Sequence, residues 1–295
     1  NIQLGTSHVA NQIKSLNARQ YKELIDEIRP GTVPEGTIDQ TDWFKEVYGT
    51  GVTQNYQLQI SDGNDKMRYF ISGGYLDEKG VLSSAFFRRF NLRSNIESQV
   101  RKWLHVGLNL SYSDNTSNGI TTGRGSNRGG VVLAVVNLPT AATIINEETG
   151  LYNRLFFGQN IANPIEEIEN GKNNRLIASG NTVITFMPEL NLKTSFTLDR
   201  RHGKSTGFTP PVHGPGRDEW GNAWDTRNMN TLLVFDNVLT YKNTFSQKHN
   251  VEGMAGTSWT DSQWSQSYIN GSHFRDSSIK TLNAANKIAW DNTGS

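Results

Sequence analysis

Side chains along this chain alternate between apolar and polar in segments about ten residues long, and such segments recur along most of its length. The clearest sets Leu104, Val106, Leu108, Leu110 and Tyr112 against His105, Gly107, Asn109 and Ser111, and 190–199 nearly repeats it. A strand sends successive side chains to opposite faces, so each such segment has one apolar and one wet face. The pattern predicts nine strands, at 2–10, 53–61, 67–76, 87–97, 103–113, 176–186, 190–200, 231–242 and 248–259. Tyr56, Leu58 and Ile60 oppose Gln57, Gln59 and Ser61. Tyr69, Ile71, Gly73 and Tyr75 oppose Arg68, Phe70, Ser72 and Gly74, while Phe90, Leu92, Ser94 and Ile96 oppose Arg89, Asn91, Arg93 and Asn95. Repeated with turns between, this is the pattern of an all-β transmembrane antiparallel barrel, with lipid outside and a polar lumen inside. Arg68, Arg89, Arg93, Asn95 and Asn109 then face the lumen.

The connections sort by length. Short ones at 61–66, 97–102, 187–189 and 242–247 alternate with longer ones at 12–52, 77–86, 114–175, 201–230 and from 260 onward. Outer-membrane barrels place short turns on the periplasmic side and long loops outside. Loop sorting is independent of face patterning, and the two agree. Slipping the strand at 87–97 by one residue would send Arg89 and Arg93 into lipid, costing roughly 4–8 kcal/mol at about 2–4 kcal/mol per midplane arginine. Tyr56, Tyr69, Tyr75, Phe90, Trp103, Tyr112, Phe186, Tyr241 and Trp259 suit aromatic girdles at the two interfaces better than a sugar-stacking set. Within the first long connection, 15–28 reads as a helix capped by Ser15 or Asn17 and ended at Arg29-Pro30-Gly31, and 39–48 as a short helical turn around Trp43.

Composition narrows the classes. Hydrophobic residues make up 35% and mean hydropathy is −0.56, values a barrel shares with soluble proteins because half of every spanning strand is polar. No apolar run reaches the length of a membrane helix. Twenty-nine basic and 28 acidic residues leave no nucleic-acid footprint. With no cysteine, disulfide scaffolds and thiolate metal sites are excluded. The start at Asn1 lacks a basic, then apolar leader, and the chain opens inside what reads as a strand, so a fragment of a longer protein is expected.

The run from Thr41 and Trp43 through Gly51, Gln54, Tyr56, Leu58, Ile60 and Gly63, then Tyr69–Tyr75 and Gly80, then Phe87, Arg89, Phe90, Leu92, Arg93 and Asn95, resembles the early barrel of the SusC/RagA family. The helix at Leu16–Tyr21 and Asn163-Pro164-Ile165 also look like features of that family, and the likeness runs in order along essentially the whole chain. These are TonB-dependent outer-membrane transporters of Bacteroidetes. The resemblance implies that residues 1–295 are the N-terminal strands of a 22-stranded barrel whose lumen is plugged, with plug, TonB-binding segment and C-terminal strands outside this chain. It implies oligosaccharide or peptide import with a SusD-like surface lipoprotein, driven by the TonB–ExbB–ExbD complex, and leaves a dimer of transporter–lipoprotein pairs open. An odd-numbered open sheet would leave unpaired edges in lipid, so an incomplete barrel is also the physical expectation.

Candidate chemistry is sparse. Lumen arginines 68, 89 and 93 are expected to pair with carboxylates of neighbouring strands or the plug more than to bind cargo. Trp220, Trp224, Tyr152, Phe156 and Phe157 fall in expected extracellular loops, and with Arg124 they are the candidates for contact with cargo or the lipoprotein lid. Gly123–Gly130 lacks the Gly-Lys-Ser/Thr of a phosphate loop and reads as a plain glycine-rich loop. The histidines at 8, 105, 202, 213, 249 and 273 show no ligand spacing. Glu166, Glu167, Glu169, Asp218 and Glu219 read as solvated turns rather than a glycosidase pair. No enzyme activity and no cofactor are expected. A soluble all-β carbohydrate-binding module and a passive porin are the rival readings.

Overall fold

In a computed structural model of the chain, residues 1–82, 84–119, 135–145, 147, 168–209, 211, 220–275 and 279–294 are described. Ten strands form one antiparallel sheet in strict sequence order. They are β1 (Ile2–Ser7), β2 (Gly51–Gly63), β3 (Met67–Lys79), β4 (Phe86–Arg101) and β5 (Leu104–Asn118), followed by β6 (Ile168–Met187), β7 (Leu190–Thr209), β8 (Asn222–Phe245), β9 (His249–Phe274) and β10 (Ala285–Gly294). Two helices, α1 (Ala18–Ile28) and α2 (Trp43–Val47), lie in the connection between β1 and β2. Among the described residues no helix is long and apolar enough to cross a membrane.

Register carries the two-faced pattern across the sheet. Tyr56 stands opposite Tyr75, and Tyr75 opposite Phe90. Ile96, Leu108, Gly180, Phe196, Phe235 and Trp259 form a further row across β4 to β9. Directly paired residues share a face, so the apolar positions of eight strands, β2 to β9, fall on one surface. On each strand that apolar run ends in a polar residue on the same side: Gln54, Asp77, Arg88, Asp114, Asn174, Arg200, Thr231 and Asp261. The opposite surface carries Arg68, Arg89, Arg93, Asn95 and Asn109.

Tight turns at 64–66, 102–103, 188–189 and 246–248 occupy one edge of the sheet. In the last of these, Ser246 and Gln247 both adopt the left-handed region (φ 52° and 55°), which matches the right-handed twist of the strands they join. The strand ends that bound the connections 8–50, 80–85, 119–167, 210–221 and 275–284 lie at the other edge. The expected long loop at 77–86 shrinks to six residues, because pairing of β3 with β4 runs on to Lys79 and Phe86. The expected loop at 201–230 is largely strand, with β7 and β8 paired from Leu190–Tyr241 to Thr209–Asn222. Likewise β9 continues to Phe274, and a tenth strand follows where the sequence was expected to be loop. Ten strands among the described residues replace the expected nine.

The loop edge has its own core. Asn17, rather than Ser15, caps α1: its side chain accepts the Gln20 N–H while the Gln20 side chain accepts the Asn17 N–H. Trp43 and Val47 of α2 are buried with Val135 and Leu138, and Leu82, Ala142 and Ile144 pack around them. Connections that leave the sheet at three separate places therefore share one apolar cluster.

Candidate functional site

Two features of the fold bear on function: the polar face and the assembly at the loop edge. On the polar face, the guanidinium of Arg175 makes a two-pronged contact with Asp199 at 2.9 and 2.6 Å, and Arg201 reaches the same carboxylate at 3.5 Å. Arg175 and Arg201 stand directly opposite each other, so Asp199 offsets two cations that would otherwise repel. The sequence reading missed this trio; Arg175, Asp199 and Arg201 lie at polar positions of their strands, but only the register brings them together.

Of the arginines expected to pair with carboxylates, Arg68 has one directly across the strand pair, and Arg89 and Arg93 do not. Arg68 stands opposite Glu97 and Gly63. Arg89 stands opposite Leu76 and Asn115, and Arg93 opposite Ser72 and Ser111, so cross-strand carboxylates are not their neighbours. The reason is register: β3 presents Leu76 and Ser72, and β5 Asn115 and Ser111, in those rows. Asn95 and Asn109 face each other. Near the tight-turn edge, Arg68, Glu97, Lys102, Trp103 and His105 line a shallow recess of about 390 Å³.

Trp224 belongs to β8 and not to a loop. It is paired with Gly207 on the polar face beyond the end of the apolar run, and its indole lies against that glycine, where any Cβ would overlap the ring. Trp220 does sit in the connection, 66% exposed and in the left-handed region (φ 55°), and its carbonyl accepts the Phe274 N–H at 2.6 Å. Gly221 follows at φ 85°, where an L side chain would be strained and would also press on Phe274. Phe274 is buried edge-on against Phe208 (ring centroids 5.3 Å apart) with Ala223, and Leu282 and Ala285 complete this second cluster. Arg124, Tyr152, Phe156 and Phe157 lie outside the described residues, as do Gly123–Gly130, Asn163–Ile165, Glu166, Glu167, Asp218 and Glu219.

At the loop edge, hydrogen bonds tie 135–145 to the first connection. The Trp43 indole donates to the Pro139 carbonyl at 2.9 Å, and the Thr41 hydroxyl to Ala142 at 2.7 Å. Gln40 and Thr41 N–H groups both donate to the Thr140 carbonyl. Asp39 accepts the Thr140 hydroxyl and the Ala18 N–H, and these two bonds, the hydroxyl first, hold its carboxyl below the usual carboxylate range. Gly49 donates to Val81, bringing in the connection between β3 and β4. On α1, Lys22 bridges Asp26 at 2.6 Å and Glu35 at 3.0 Å; these acidic partners raise its affinity for a proton, and its ammonium in turn lowers that of Asp26. Among the described residues no cluster of histidines and carboxylates is arranged to hold a metal ion.

No family model matches the chain. TonB-dependent receptor P3 of Formosa agariphila is 29% identical over 269 residues, which covers 88% of this chain and 26% of that receptor. TonB-dependent receptor SusC of Bacteroides thetaiotaomicron is 24% identical, over 77% of this chain and 25% of its own length. The chain spans about a quarter of the length of the curated relatives it matches. Among solved structures, the RagAB peptide importer in its 'closed-closed' state superposes over 100% of this chain and 38% of its own, with a TM-score of 0.73 at 16% identity. That likeness extends the ten-stranded sheet to a barrel wall.

Proposed function

We propose that this stretch of SusC/RagA-type wall serves TonB-dependent nutrient import across the bacterial outer membrane. Residues 1–295 form part of one receptor barrel domain, the apolar face meeting lipid and the polar face lining the lumen. Arg68, Arg89, Arg93, Asn95 and Asn109 belong to that lining. Oligosaccharides or peptides are the cargo, a SusD-like lipoprotein is the partner at the loop edge, and the TonB–ExbB–ExbD complex supplies energy through the plug. The relative described as a peptide importer supports the peptide class, and the relative named SusC supports the family's mode of action.

One observation carries the reading: a single register keeps apolar and polar faces apart over β2 to β9 while tight turns and longer connections stay at opposite edges. A soluble sandwich would bury the apolar face against a second sheet. Wall strands leave it open, as here, where Leu58 is 75% and Leu108 50% exposed. Trp224 marks the cargo side of the rim, and Trp220 the lid side; Arg124, Tyr152 and Phe156 join them as contacts.

Uptake by the complete receptor in cells tests this. Wild type is expected to import cargo only with an intact TonB system, and Trp224→Ala to lower uptake several-fold at unchanged outer-membrane abundance. TonB-independent flux would favour a passive porin, and recovery of the receptor in the soluble fraction would end the membrane reading.

A further inference from the structure

Just beyond the apolar band on the loop side, the same face of the sheet turns basic. Arg88 and Arg200 end the apolar runs of β4 and β7. Further out, Lys172, Lys204 and Arg227 stand directly opposite one another across β6, β7 and β8, and Thr116 links Lys172 to Arg88 in the same row. Like charges placed directly across strands are destabilising, so three in succession call for a counter-charge. The described residues supply only part of it. Arg88 meets Asp77 at 3.2 Å, Lys172 is 4.0 Å from Asp114, and Lys204 and Arg227 share Asp225 at 3.4 and 3.0 Å. The Arg200 guanidinium reaches the Met229 sulfur at 3.4 Å and, among the described residues, no carboxylate. Among the described residues five cations thus meet three carboxylates, with side chains between 43% and 59% exposed at Arg88, Lys172, Lys204 and Arg227.

We propose that this patch binds the phosphate-bearing headgroup of an outer-leaflet glycolipid, whose acyl chains lie on Leu176 and Leu198 below it. The inference rests on the apolar face being the lipid-facing one. Height supports it: Lys204 is four residues beyond Arg200, or about 10 Å along the membrane normal for a strand tilted by about 40°. That is headgroup depth. Guanidinium and ammonium donors form charge-assisted bonds with phosphate oxygens. An open patch with no walls holds free phosphate weakly in physiological salt, whereas a lipid is retained by its chains on the band beneath.

The full-length receptor, reconstituted in phosphatidylcholine nanodiscs doped with monophosphorylated lipid A, tests it by mass spectrometry of the lipid it retains. Retention is expected to exceed that of the dephosphorylated form at least tenfold. Combined Lys172→Gln, Lys204→Gln and Arg227→Gln substitutions are expected to abolish that preference, and Lys193→Gln on the polar face to preserve it. Equal retention of both lipids, an unaffected triple variant, or full displacement by inorganic phosphate would each overturn the patch. Heat-shifted gel mobility separates the two readings: a wild type that never inserts fails as a wall, and one that inserts without the preference fails only as a lipid site. Should the triple variant not insert, Arg200→Gln, which leaves the register row intact, is read the same way and decides.

Discussion

Asp39 shows how much a single carboxylate can organise at the loop edge. It accepts from the α1 N-terminus and from Thr140, a hundred residues further along the chain. A carboxylate whose folded pKa is depressed contributes stability that is present above its unfolded value of about 3.9 and lost as pH falls through the lower folded value. Amide exchange at Ala18 and Thr140 is therefore expected to stay slow from neutral pH down to about 4 and to accelerate below it, and Asp39→Asn to remove that dependence. Protection that fails already at pH 6 would contradict the assignment. Asn17 acts more locally. Asn17→Ala removes the side-chain arm of the capping box, leaving the backbone N–H that donates to Gln20, and should destabilise α1 by about 1 kcal/mol, read as faster exchange confined to Ala18–Ile28.

At the scale of elements, the faces of the sheet and the loop cluster give opposing expectations. Leu108 sits in the middle of an apolar run, so Leu108→Arg should cost about 2–4 kcal/mol in denaturant unfolding of the complete receptor from liposomes. Asn109→Arg, one residue on and facing the other way, should change it little. Equal costs would mean that the two faces have been confused. Trp43→Ala should remove about 3–5 kcal/mol from the α2 cluster and, by limited proteolysis, expose 135–145 together with 40–48. Faces of this kind were legible from alternation alone, which placed nine strands and put Tyr56, Phe90 and Leu108 on one side. Strand length was not: β7 to β9 run far past the apolar band, and there alternation weakens because no side meets lipid. The site was legible in part. Trp224 was visible as an aromatic beyond the spanning segments, but its seat on Gly207 and the Arg175–Asp199–Arg201 trio depend on register, which no single segment encodes.

At the scale of the whole molecule, β1 pairs with β2 and β10 with β9, and each leaves its other edge without a partner among the described residues. Unpaired edges cost several kcal/mol per backbone group in hydrocarbon and invite association in water. Residues 1–295 expressed alone should therefore sediment as oligomers in detergent; a stable monomer with barrel-like heat modifiability would contradict an open wall. The 24 residues of β8 and 26 of β9 have a further consequence. A membrane strand needs only about 9–11 residues to span, so more than half of this hairpin stands clear of the bilayer, stiffened at its top by the Phe208–Phe274 contact. The cell surface around the receptor is therefore overlooked by a rigid parapet, and an antibody or phage approaching from the side would touch that parapet before it touched any lipid.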